Sequence, residues 1–340
     1  MTHAAEPTMA LAAAAANPPK SASRHMYEQF FGLRERPFDL SPDPRYLVLT
    51  ESHLEALQNL EYGIAARKGM TLLVGEAGSG KTTVIRAAIA RLPVRVHCVH
   101  IHNPTLKVSE FVEMLAAHFG LSEAASLSKA KMLLELERML LERRSRGEMT
   151  ALVVDEAQSL PLELLEEIRL LANIETDSGK LMTVIIAGQP ELANRLNDVR
   201  LRQFKQRIGL RCELRPLSAM ETAGYIAGRI RAAGGVGAQV FTRDAVALIY
   251  EHSRGLPRLI SLIADNALLG GFGADKKPVG ADIVRQVCGD FDIHDATTDS
   301  SHPGSSTMMP PPSAAPAVRI QINYGILLGA MVATLKRFAS

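Results

Sequence analysis

The sequence contains no tryptophan, and phenylalanine and tyrosine bring its aromatic share to only 5%. Stacking platforms of the kind that grip single-stranded nucleic acid are therefore not expected. Cysteine is equally scarce. Cys98, Cys212 and Cys288 lie far apart with no CxxC pair, which argues against a zinc site and a disulfide framework and suits a reducing cytoplasm; all three are expected as small buried hydrophobes. An excess of one charge is missing too: 38 Lys plus Arg face 36 Asp plus Glu, a formal +2. No global field directs the chain to nucleic acid or to an anionic membrane, and any basic surface must be local. Long apolar runs are also absent. The run from Met9 to Ala16 has no Lys or Arg ahead of it, unlike a signal peptide. The stretch from Tyr324 to Leu335 is 12 residues, roughly 18 Å of helix against a bilayer core of about 30 Å.

What is present is a chain of 340 residues, 47% hydrophobic and 22% charged, enough for about two domains with real cores. Residues 1–25 are Ala-rich and end near Pro18 and Pro19, and they read as a disordered tail. Residues 296–317, with Ser300, Ser301, Ser305, Ser306 and Pro310 to Pro312, read as a linker. Residues 318–340 form a short apolar segment ending in Lys336 and Arg337, suited at most to peripheral contact with a membrane or to docking a partner.

Between the tails, strand-like and helix-like runs alternate. Thr71 to Val74, Arg95 to His102, Ala151 to Val154, Met182 to Ala187 and Leu210 to Leu214 are short and rich in Val, Ile and Leu, as strands of a parallel sheet buried on both faces are. Leu133, Leu136, Leu140 and Leu141 make one helical face, and Leu162, Leu165, Ile168 and Leu171 another. This predicts an α/β wound parallel sheet over residues 26–217, its leader and first helix occupying 26–70. After Arg215 the strand signals stop. Ser218 to Arg231, Thr242 to His252, Leu256 to Leu269 and Gly280 to Cys288 predict a small all-helical lid over 218–295.

Gly75, Glu76, Ala77, Gly78, Ser79, Gly80, Lys81 and Thr82 spell GxxxxGKT between a strand and an apolar helix that begins near Thr83. Glycines let backbone N–H groups curl around phosphate, and a helix N-terminus adds its positive end. Lys81 is expected on the β and γ phosphates and the Thr82 hydroxyl on Mg²⁺. Downstream, Leu152, Val153 and Val154 run into Asp155 and Glu156. That placement suits Asp155 to the metal and Glu156 to orienting and deprotonating an attacking water, so hydrolysis is favoured over phosphoryl transfer to a small molecule. No NKxD-like guanine-reading motif occurs, which favours ATP. Gln189, at the end of the fourth strand, is placed to sense the γ phosphate or to form a turn. Asn103 is placed to hold Glu156 or to start a turn before Pro104. Arg200, Arg202, Lys205, Arg207, Arg211 and Arg215 form the one basic stretch. It reads as a solvated face, or as the source of an arginine finger, Arg207, for a neighbouring subunit. Gly255, Leu256, Pro257 and Arg258 open a lid helix from which Arg258 can reach towards the phosphates.

The P-loop, the acidic strand end, Gln189, the QRI at Gln206 to Ile208 and the GLPR at Gly255 to Arg258 resemble an AAA+ ATPase. The leader Met26-Tyr27-Glu28, Phe31-Gly32-Leu33, Arg36-Pro37-Phe38 and Ser41 to Tyr46 resembles the ATPases of the general secretion pathway protein A type, including pilus-biogenesis and exopolysaccharide-export relatives. The resemblance spans about Met26 to Asp292. It implies that Pro37 to Leu47 lies beside adenine, that Arg207 is the finger and Arg258 the second sensor, and that the site falls at a subunit interface in a ring or other homo-oligomer. Secretion members commonly continue through a membrane span into a cell-wall-binding domain; here a proline linker and a short segment follow instead. The expectation is a cytoplasmic, Mg²⁺-dependent ATPase, at most peripheral at the inner membrane, serving envelope secretion or polysaccharide export. A DNA-associated regulator of the transposition-ATPase type is the alternative.

Overall fold

The computed structural model describes residues 27–39, 50–102, 106–177 and 179–291. The tails and linker expected at 1–25, 296–317 and 318–340 lie outside these, as do Asn103 and most of Pro37 to Leu47.

After a short α1 (Glu28–Phe31) and α2 (Glu51–Ala65), the chain enters β1 (Met70–Gly75), α3 (Lys81–Arg91) and β2 (Val96–Ile101). Then follow α4 (Val108–Phe119), α5 (Glu123–Ser126), α6 (Lys129–Ser145), β3 (Met149–Val154) and α7 (Leu162–Leu171). A two-residue-strand hairpin of β4 (Glu175–Thr176) and β5 (Gly179–Lys180) precedes β6 (Thr183–Gly188), α8 (Pro190–Arg195), α9 (Arg202–Lys205) and β7 (Ile208–Leu214). The five long strands form one parallel sheet in the order β2-β3-β6-β1-β7. Each of the five predicted strand runs lies in this sheet, whereas the β4–β5 hairpin, too short to carry an apolar pattern, gave no signal.

Side-chain alternation explains why both faces of the sheet are covered. Leu72, Val74, Leu152, Val154, Val184 and Ile186 face a core closed by α4, α6 and α7. Leu73, Val153, Ile185 and Ala187 face the opposite core, closed by Leu57, Leu60 and Ile64 of α2 and by Val84, Ile85 and Ala88 of α3. On α6 the buried stripe is Met132, Leu136 and Leu140; of the predicted face Leu136 and Leu140 are buried, Leu133 is half-buried and Leu141 is exposed. Cys212 and Cys288 are buried as expected, but Cys98 is exposed because β2 is an edge strand whose outer face has little cover.

The last part of the described chain is helical: α10 (Ala219–Ala232), α11 (Gly237–Val240), α12 (Arg243–Ser253), α13 (Pro257–Gly273) and α14 (Ala281–Asp290). Ser218 and Glu221 form a capping box at the start of α10, and Pro257 occupies the first turn of α13. These helices share a third core with the leader, in which Tyr27, Phe31, Leu33 and Phe38 pack among Ile230, Phe241, Ile260 and Ala264. The buried Arg229 guanidinium fastens the leader by donating to the carbonyls of Pro37, at 2.6 Å, and Asp39, at 2.9 Å. Tyr27 donates to the Asp265 carboxylate from the same side. Residues 27–38 therefore pack with the helical bundle, not with the sheet to which sequence order assigned them. The cause is that Tyr27, Phe31, Leu33 and Phe38 are large apolar side chains on a short leader whose one four-residue helix can hide no face of its own.

Candidate nucleotide site

All strands of the sheet run the same way, so their C-terminal ends share one edge, where open α/β sheets bind ligands. On that edge β1 ends in Gly75, β3 runs into Asp155 and β6 ends in Gly188, with β6 lying between the other two. Two motifs separated by 73 residues in the chain meet there: the Thr82 hydroxyl donates to Asp155 Oδ2 at 3.0 Å.

The loop from Gly75 to Gly80 is shaped by positions no other residue suits. Gly78 and Gly80 have φ of +78° and +97°, a region that costs other residues about 1–2 kcal/mol. A Cβ on Gly75 would approach Ser79 Oγ to 2.6 Å. Glu76 and Ala77 are exposed and Ser79 is buried, and Gly80 leads directly into the N-terminus of α3, along which Thr82 and Thr83 are half-buried. Lys81 is buried and its Nζ donates to the carbonyls of Gly75, at 2.8 Å, and Glu76, at 3.0 Å. Burial pushes the Lys81 ammonium below its ordinary pKa, while Glu156 and Asp155 pull it back up. Burial also raises the Asp155 carboxyl, but His100 beside it, the Glu156 N–H and the Thr82 hydroxyl together bring it down to about 2. An ammonium resting on loop carbonyls, a hydroxyl–carboxylate pair and an N-terminal helix end fit a Mg²⁺-nucleoside triphosphate. Lys81 and the loop would hold the phosphates, and Thr82 and Asp155 the metal.

Glu156 occupies a left-handed backbone conformation with φ of 52°, a strain of about 1–3 kcal/mol that surrounding contacts must hold. Its Oε2 accepts from Gln158 Nε2 at 2.6 Å and from Gln189 Nε2 at 3.1 Å, while Gln158 Oε1 accepts from the Gln189 N–H at 3.1 Å. Gln189 is thus drawn to Glu156, and among the described residues Gln158 also holds that carboxylate. Its only sequence signal was an amide two positions after the acid pair.

A second residue without a sequence signal is His53, in the first turn of α2. It is buried with Nε2 3.0 Å from the Ser79 carbonyl and Nδ1 2.7 Å from the hydroxyl of Thr50, the N-cap of α2. The Ser79 oxygen can only accept, so Nε2 carries the proton and Nδ1 accepts from Thr50. Burial holds the His53 pKa below 6.5, with the Ser79 carbonyl pulling the other way.

Arg258 meets the loop through its backbone: its N–H donates to the Gly78 carbonyl at 3.2 Å, and a Cβ on Gly78 would lie 2.6 Å from Arg258 Cβ. Its side chain is exposed. Arg207 is elsewhere. It is exposed and immediately precedes β7, whose Ile208 pairs with Met70, while Gly75 pairs with Leu214 at the far end. At about 3.3 Å per residue this puts Arg207 roughly 20 Å from the nucleotide edge of its own chain.

The sheet order, the P-loop and the acidic strand end define the fold of a P-loop NTPase. Residues 64–196 match the model of an AAA domain. Over 250 residues the chain is 43% identical to general secretion pathway protein A of Aeromonas hydrophila, covering 73% of this chain and 45% of that protein. The chain therefore spans about half the length of this curated relative. Among solved structures it is similar to the Aeropyrum pernix ORC2 protein, with TM-score 0.59 and 16% identity over 75% of this chain and 71% of that one. It is also similar to the Aeropyrum pernix ORC1 protein in complex with DNA, with TM-score 0.57 and 18% identity over 75% and 69%. At these identities the likeness shows the fold alone. Among the described residues no helix is long and apolar enough to cross a membrane.

Proposed function

We propose that the protein hydrolyses ATP in a Mg²⁺-dependent reaction and works as a homo-oligomer whose helical region, residues 218–295, reports nucleotide state to an envelope secretion or polysaccharide-export assembly. The observation that carries the chemistry is the Thr82–Asp155 hydrogen bond, which brings the P-loop and the acid pair into one site. Mg²⁺, when bound with ATP, neutralises phosphate charge and polarises the terminal phosphoryl group. Lys81 leaves its carbonyl partners for the β and γ phosphate oxygens. Glu156, oriented by Gln158 and Gln189, takes the proton of the attacking water. Arg207 lies too far away to serve its own site, which supports its acting on the phosphates of a neighbouring copy. The Arg258 contact at Gly78 gives the helical region a direct mechanical link to the phosphate loop.

The secretion pathway is taken from the name of the Aeromonas hydrophila relative, and a location on the cytoplasmic side, at most peripheral to the inner membrane, is proposed with it. ATP turnover across a protein concentration series tests the chemistry. Glu156→Gln is expected to lose about 10²- to 10⁴-fold in turnover, and Arg207→Ala to be inactive at every concentration. Wild-type turnover by Glu156→Gln, or full turnover by Arg207→Ala, overturns the corresponding assignment. A DNA-associated switch is the second reading, favoured by the exposed Arg202, Arg207 and Arg211; it requires turnover stimulated by DNA and lost with rising salt.

A further inference from the structure

His100 and His102 stand two apart at the end of the edge strand β2, so their side chains leave the same face. Their rings lie 3.8 Å apart, tilted by 33°. The adjacent strand β3 is aligned with β2 so that the Asp155 N–H donates to the Ile101 carbonyl, between the two histidines. Asp155 Oδ2 is 3.8 Å from His100 Nε2, too far for a hydrogen bond. One ligand atom from each of His100, His102 and Asp155 lies within 4.8 Å of the others.

Two observations point to a cation between them. His100 Nε2 is buried with no hydrogen-bond partner, a state that polar atoms inside proteins rarely keep. A gap of 3.8 Å is spanned when a metal sits about 2 Å from a nitrogen and an oxygen. Two imidazoles and one carboxylate suit zinc, cobalt or nickel, whereas Mg²⁺ prefers oxygen ligands and water.

We propose that His100, His102 and Asp155 form a site for a first-row transition-metal dication, distinct in ligand chemistry from the Mg²⁺-nucleotide site but sharing Asp155 with it. The metal takes the Asp155 oxygen that faces Thr82, so its occupancy opposes productive Mg²⁺-nucleotide binding and slows turnover. The inhibitory part rests on the reading of Asp155 as a nucleotide-metal residue; the binding part stands on its own.

The test uses the full chain without nucleotide and Co²⁺ as probe, followed by visible absorption, with Zn²⁺ as competitor. One tight equivalent is expected in the wild type and in His118→Gln, which removes an exposed histidine on α4. His100→Gln and the exposed His102→Gln are each expected to weaken binding at least about 10-fold. Unchanged Co²⁺ affinity in both variants, or no tight equivalent in the wild type, overturns the site. In the second arm, Zn²⁺ added to Mg²⁺-ATP turnover is expected to inhibit wild type more strongly than His102→Gln, and excess Mg²⁺ to relieve it. Equal inhibition of both proteins overturns the competitive role. Tight Co²⁺ binding in a protein that never hydrolyses ATP upholds the site while removing the proposed enzymatic function, so the two failures are distinguishable.

Discussion

Glu156, Gln158 and Gln189 form a small unit in which two amides fix one carboxylate. If this positions the base, Gln158→Ala lowers kcat by about 10-fold or more with little change in KM, since a misoriented base affects the chemical step more than binding. Steady-state kinetics on folded protein distinguishes this from a binding defect. His53 gives a prediction in pH. Burial depresses its folded pKa below 6.5, so under mildly acidic conditions the unfolded chain binds a proton that the folded chain refuses. Its contribution to stability is full above pH 6.5, declines as pH falls below that value, and stops changing below the depressed folded pKa. Denaturant midpoints measured between about pH 8 and 5 should fall with acid in the wild type and fall less in His53→Gln. His53 was not legible as a site residue because its partner, the Ser79 carbonyl, lies 26 positions away and only folding delivers it; Gln158 was not, because its hold on Glu156 depends on a left-handed turn and on Gln189, 31 positions away.

Helices and strands follow their local signals more faithfully. The apolar runs ending at Val74, Val154 and Ala187 became central strands because residues that alternate between two buried faces have no solvent-facing option. On α6 Leu136 and Leu140 were buried as predicted while Met132, not Leu141, completes the buried stripe, since a leucine-rich helix offers several plausible apolar stripes and packing against the sheet selects one. The junction from β7 to the helical region depends on a glycine. Gly255 has φ of +74°, a Cβ there would lie 1.9 Å from the Leu217 carbonyl oxygen, and its own carbonyl accepts from the Leu217 N–H at 2.9 Å. Gly255→Ala should therefore destabilise by about 3 kcal/mol or more, combining a left-handed backbone with overpacking, measurable by chemical denaturation. Gly78→Ala presses on Arg258 and is expected to lower nucleotide affinity, which binding of a fluorescent nucleotide would register.

For the whole molecule, Arg207 and Glu156 belong to opposite ends of one sheet, and in the proposed assembly they meet across a subunit boundary. Mixing two inactive variants tests this. Arg207→Ala keeps its own Glu156, and Glu156→Gln keeps an Arg207 to lend, so a mixture should recover turnover that neither protein shows alone. No recovery at any ratio would remove the shared site. The net charge of +2 suits such protein–protein contacts, because no strong global field opposes the approach of like copies. Part of the basic stretch from Arg200 to Arg215 is already engaged: Arg200 pairs with the Asp198 carboxylate, and Lys205 donates to the Asn197 amide oxygen.

The sequence by itself determined the phosphate loop, the acid pair, the five parallel strands and the succession from sheet to helices. Each of these is encoded by neighbours in the chain: glycine spacing, strand-end carboxylates and the period of apolar residues. Tertiary structure alone decided which group holds Glu156, that His53 supports the loop, that the leader packs in the helical bundle, and that His100 and His102 face Asp155. Those outcomes depend on strand order and on the fit of distant surfaces, and a linear pattern carries no term for either.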